Sequence, residues 1–78
     1  MEKLKLIFSS VLGLPQDQIT PALSPDNTAS WDSLNAIVLI TEIEKGFNLT
    51  FTYEEAMAVN DFGGVIDFLI AKGIHLNV

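Results

Sequence analysis

The chain has no cysteine, no arginine and a single histidine. Without cysteine there are no disulfides, no thiolate metal sites and no cysteine nucleophile. Nucleophilic catalysis by another side chain needs a base beside it. The lone imidazole, His75, stands three residues from the end of the 78-residue sequence, in an expected tail. No Gly-x-Ser-x-Gly turn and no glycine-rich phosphate loop is present. Paired-carboxylate catalysis needs a pocket, for which so short a chain has little room. The segment Asp26-Asn27-Thr28-Ala29-Ser30-Trp31-Asp32 places oxygen side chains at alternate positions, as a calcium loop does. It has Trp31 where the sharp turn requires glycine, and Ile37 where a bidentate glutamate belongs. We therefore expect no metal site, no catalytic residue and no enzyme activity.

Long apolar runs are also missing. No stretch approaches the ~20 apolar residues of a membrane span. The start, Met1 to Phe8, lacks a signal-peptide core and a cleavage site. A cytoplasmic location is expected, and Asn48-Leu49-Thr50 reads as a chance match to a glycosylation site. Ten acidic residues face four lysines, for a net charge of −6. Nucleic acid and anionic membranes both call for basic patches, so neither is an expected partner. A basic protein partner is compatible with the excess acid, which also serves solubility.

What is present is helical pattern. Residues 1–78 suffice for one domain. A domain of this size buries only about 60% of its unfolded surface. With no disulfide or metal, regular helix packing is left to stabilise it. Leu4, Ile7, Phe8, Val11 and Leu12 mark an amphipathic first helix, with Gly13 as its cap and Pro15 beyond. Residues 14–32 read as a long loop punctuated by Pro15, Pro21 and Pro25. Loops of this length in small domains are often functional. Leu14, Ile19, Leu23 and Trp31 are its expected ties to the core.

A second helix is expected over residues 33–46, ending at Gly46. Residues 47–52 alternate apolar and polar but have no partner strand, and an isolated strand is unstable. They are expected to be extended, with Phe47, Leu49 and Phe51 facing inward. Thr52-Tyr53-Glu54-Glu55 matches a capping box for a short helix to about Val59. Asn60 or Asp61 would cap a last helix whose apolar set is Phe62, Val65, Ile66, Leu69 and Ile70, ending at Gly73. Gly63 and Gly64 weaken its first turn and suit close packing there. The expected fold is all-α: a small bundle of three long helices and one short, with a long loop between the first and second.

The second helix has two apolar sides. With Leu34 at 0° and roughly 100° per residue, Ala36, Leu39, Ile40, Ile43 and Phe47 span about 140° to 240°, a core face. Leu34, Ile37, Val38 and Thr41 lie opposite, within about 300° to 40°. One helix of a small bundle does not bury both. The second stripe is either under the long loop or exposed as a binding surface; we favour a partner surface.

Asp32-Ser33-Leu34 stands where the loop meets this helix. Asp32 is a good N-cap, which makes Ser33 the first helical residue. The tripeptide alone says no more than a helix cap. Its context says more. An amphipathic helix, a Pro-containing loop, Asp-Ser-Leu, a second helix, a short helix and a final helix closely resemble the acyl carrier protein family over essentially the whole chain. The run Leu39-Ile40-Thr41-Glu42-Ile43-Glu44-Lys45-Gly46-Phe47 is similar to the family's hydrophobic-acidic run ending in Phe. Trp31 before the motif resembles free-standing carriers of specialised pathways.

The resemblance implies that Ser33 takes a covalent 4′-phosphopantetheine from coenzyme A through a phosphopantetheinyl transferase. The chain would then carry acyl thioesters to acyl-loading and acyl-processing enzymes of fatty-acid, polyketide or related biosynthesis, as a monomer. Asp32, Leu34, Ile37, Val38, Glu42 and Glu44 would form the docking surface. A family-type acyl pocket would draw on Leu39, Ile40, Ile43, Phe51, Ala56 and Met57, which at helical spacing also read as plain core. The exposed side of the second helix is less acidic than is usual in the family: Asn35 follows the motif, Val38 replaces a common glutamate and Lys45 interrupts the acidic end. A dedicated partner set reading a more apolar surface is implied. The alternatives are an aminoacyl or peptidyl carrier, or a helical interaction module without an arm. Peptidyl carriers commonly show glycines before the serine, whereas Ser30-Trp31-Asp32 stands here.

Overall fold

The computed structural model of the chain describes residues 2–76. Helices α1 (Glu2–Leu12), α2 (Ser33–Phe47), α3 (Tyr53–Ala58) and α4 (Phe62–Ala71) form a small bundle, with one 3₁₀ turn at Gln16–Gln18 inside the long loop. Among the described residues there is no strand; of the stretch 47–52 expected to be extended, Phe47 is the last residue of α2, Asn48 is its left-handed cap, and only 49–52 lies outside helix and turn. Helices α2, α3 and α4 each begin after a side-chain cap, at Asp32, Thr52 and Asp61. Thr52 and Glu55 exchange the two bonds of a capping box, at 2.9 and 3.1 Å. Asp61, rather than Asn60, caps α4 by accepting from the Gly64 N–H at 2.6 Å. Gly13 closes α1 in the left-handed conformation, φ +70°.

The core is a row of fully buried side chains, one set from each long helix: Leu4 and Phe8 from α1, Leu39 and Ile43 from α2, Val65 and Leu69 from α4. Phe8 is its hub. Its ring meets Trp31 edge-on at 5.3 Å and Phe62 at 4.8 Å, the arrangement that aromatic quadrupoles favour. The long loop is tied down as the sequence indicates, with Ile19, Leu23 and Trp31 buried and Leu14 half-buried. Polar bonds complete the tie. Asn27 accepts from the Ser24 N–H and the Thr28 hydroxyl and donates to the Ala22 carbonyl. The Phe62 and Gly63 N–H groups donate to Leu23 and Pro21 carbonyls, at 2.9 and 3.1 Å. A Cβ on Gly63 would stand 3.2 Å from that Pro21 oxygen, so glycine permits the loop to approach α4 closely.

Two expectations need correction. Helix α2 runs to Phe47, one residue past Gly46, and Asn48 takes the left-handed cap at φ 54°. Gly46 serves packing instead: a Cβ there would lie 3.2 Å from the Ile7 Cδ1 of α1. Ile70 was expected in the core and is 56% exposed. The buried stripe of α4 is centred between Val65 and Phe62, and Ile70 lies about 110° from that centre at 100° per residue. No neighbour covers that flank. Phe68, about 90° away on the other flank, stacks on buried Phe51 at 4.4 Å.

Candidate functional site

The N-terminus of α2 is held from both sides of the chain. Asp32 is extended (φ −98°, ψ −177°) and its Oδ1 accepts from the Asn35 N–H at 2.8 Å. The Asn35 side-chain amide reaches back to donate to the Ser30 carbonyl at 2.7 Å. Between these bonds sits Ser33, solvent-exposed, while the neighbouring Trp31 is sunk into the core against Phe8. The backbone ladder starts with Ala36 N–H to the Asp32 carbonyl at 2.9 Å. The N–H groups of Ser33 and Leu34 precede that ladder and, among the described residues, have no hydrogen-bond partner. Together with the helix dipole they favour an anion at the Ser33 hydroxyl.

The second apolar stripe of α2 is open to solvent. Leu34 is 69%, Ile37 65% and Val38 37% exposed; the long loop does not cover them. Glu42 is half-exposed and pairs loosely with Lys45 at 3.8 Å. Glu44, grouped with the docking residues from sequence, has another task here. Its Oε2 accepts from the Phe51 N–H at 2.8 Å and so ties the 48–51 segment to α2.

A groove of about 480 Å³ opens beside Ser33 between α2 and α3, floored by Ala36 and Ile40 and walled by Ile37, Thr41 and Met57. Beneath it a cavity of about 30 Å³ reaches Phe8 and Trp31, room for about one or two water-sized groups. Of the pocket candidates, Leu39, Ile40, Ile43 and Ala56 line this inner cavity. Met57 lines only the outer groove and is 65% exposed. Phe51 lines neither and belongs to the Phe68 stack. Sequence reasoning missed Ala36 and Val59, which line both spaces. Ala36 carried a signal, a small residue on the core face of a helix otherwise filled by Leu and Ile.

Helix α3, the far wall, is held by few contacts. Lys72 pairs with Glu55 at 3.0 Å. The Thr52 N–H, and then Lys72, hold the Glu55 carboxyl below the usual carboxylate range. Among the described residues no cluster of three or more potential metal ligands occurs, and no helix is long and apolar enough to cross a membrane. His75 is exposed.

The phosphopantetheine attachment site family matches residues 2–69 of the chain. The acyl carrier protein of Guillardia theta is 30% identical over 71 residues, 91% of this chain and 88% of that protein. That of Chlorobium phaeobacteroides is 31% identical over 71 residues, 91% of each. That of Rubrobacter xylanophilus is 27% identical over 70 residues, 90% of this chain and 86% of that protein. An exposed hydroxyl among free helix N–H donors, opening onto an apolar groove, fits the attachment of such a group. The chain belongs to the acyl carrier family of phosphopantetheine-binding proteins, whose prosthetic group is a covalent 4′-phosphopantetheine.

Proposed function

We propose that Ser33 bears the 4′-phosphopantetheine arm and that the chain is an acyl carrier with no catalysis of its own. The observation that supports this reading is position. Of the five serines in the sequence, Ser33 alone begins a helix and borders the α2–α3 groove. Ser9 is bonded to the Leu14 carbonyl, Ser10 lies within α1, and Ser24 and Ser30 are half-buried in the loop.

In the loading step Ser33 Oγ attacks the phosphorus of coenzyme A that bears pantetheine. The Oγ–P bond forms, the pyrophosphate bond breaks, adenosine 3′,5′-bisphosphate leaves, and the hydroxyl proton passes to a base of the transferase. The free N–H groups of Ser33 and Leu34 stabilise the resulting phosphodiester anion. Asp32 gives the transferase a charged contact, and Leu34, Ile37 and Val38 give it and the acyl-processing enzymes an apolar one, with Glu42 at the edge. The arm supplies the thiol that this cysteine-free chain lacks, on which acyl groups ride as thioesters. Ile40, Ala56 and Met57 offer an apolar resting place beside it.

Intact mass after incubation with coenzyme A and a broad-specificity phosphopantetheinyl transferase tests the assignment. One phosphopantetheine is expected on the wild type and none on Ser33→Ala. An unmodified wild type, alongside a control carrier that is modified, would refute it.

A further inference from the structure

Asn35 uses both of its N–H-bearing groups on the turn that displays Ser33. Its backbone N–H holds the Asp32 carboxylate and its side-chain amide holds the Ser30 carbonyl, five residues back. The two bonds close a ring of chain from Ser30 to Asn35 with Ser33 at its outer edge. The segment is also held by the buried Trp31 ring below it, by the Trp31 N–H bond to the Thr28 carbonyl at 3.0 Å and by the Ala36 N–H bond to the Asp32 carbonyl at 2.9 Å. The side-chain bond is the one that a substitution can remove without touching the cap: the Asp32–Asn35 backbone bond needs no particular side chain at 35.

Resting on the reading that Ser33 takes the arm, we propose that Asn35 is a positioning residue for its modification. The Nδ2 bond to Ser30 keeps the turn closed, so that the Ser33 hydroxyl meets the transferase in one pose. With the bond lost, the turn samples open arrangements in which the hydroxyl points elsewhere. The transferase docks on Leu34, Ile37 and Val38, which α2 holds regardless of the turn. The complex therefore forms with either arrangement, and the fraction in the productive pose enters kcat rather than KM.

The test compares wild type, Asn35→Asp and Asn35→Ala in phosphopantetheine transfer from coenzyme A, with the carrier concentration varied. Asn35→Asp is nearly isosteric but sets a carboxylate against the Ser30 carbonyl and near Asp32, two acceptors with no proton between. Asn35→Ala deletes the side chain and is the better helix former, so it keeps the fold. Circular dichroism confirms that the variants are folded at the assay temperature. We expect kcat to fall roughly 3- to 10-fold in both variants, the population effect of one hydrogen bond, with KM for the carrier unchanged. If Asn35→Asp does not fold, Asn35→Ala decides alone. Kinetics equal to wild type overturn the proposal. So does a change confined to KM in either direction, which marks position 35 as a surface contact. A wild type that takes no arm sinks the carrier reading and this proposal with it; variants that behave like a modified wild type sink this proposal only.

Discussion

The two apolar sides of α2 are built from the same residue types and have opposite fates. Leu39 and Ile43 are sealed against α1 and α4, while Leu34 and Ile37 stand in water. Burial of a Leu or Ile side chain is worth roughly 1.5–3 kcal/mol, so the inner side contributes to folding and the outer one adds almost nothing. The outer side is available to other proteins because the bundle makes no use of it. Ser33 lies where the open side meets the groove, so on the proposed reading a modifying enzyme would reach hydroxyl and stripe together.

The comparison breaks if parallel truncations on the two sides behave alike. Ile43→Ala removes a fully buried side chain and is expected to cost about 2–5 kcal/mol. That lowers the melting temperature by roughly 10 °C or more in a domain of this size. Ile37→Ala is expected to stay within about 0.5 kcal/mol of wild type yet to raise KM for the transferase. Thermal melts and transfer kinetics on the same preparations decide it. A large melting shift in Ile37→Ala would mean that the outer stripe is part of the core after all.

Glu44 sharpens the comparison, since it is polar and still serves the inner structure. Glu44→Ala leaves the Phe51 N–H without its partner and is expected to cost about 1 kcal/mol. Amide exchange should quicken at Phe51 and α3 and remain unchanged at Leu4 and Phe8. The smallest effect is the acid response of α3. Interactions with Thr52 and Lys72 depress the folded-state pKa of Glu55, so its contribution is complete above the ordinary carboxylate range and is lost as pH falls through the depressed value. α3 resonances should therefore shift at lower pH than the titration of an unpaired carboxylate. Coincident titration would show that the Lys72 and Thr52 contacts do not matter in solution.

Much of the fold could be read along the chain because it rests on local chemistry. Asp32, Thr52 and Asp61 each bond a backbone N–H three residues ahead, and such caps need no tertiary partner. The Phe8 and Leu4 periodicity likewise named its own buried face. The departures came where distant segments meet. Gly46 looked like a helix stop, but its use is set by Ile7 in another helix. Phe51 matched a pocket position until Phe68 claimed its ring. Glu44 looked like surface acid, and the returning chain at Phe51 bonded it.

The sequence by itself determined the number and phase of the helices, the cap at Asp32 and the place of Ser33 as the first residue of α2. These follow from spacings and bonds that span three or four residues. Only the tertiary structure decided that the second stripe of α2 stays uncovered, that the groove starts at Ser33, and that Asn35 reaches back to Ser30. Periodicity tells which residues share a side of a helix. What stands against that side depends on where the rest of the chain comes to lie.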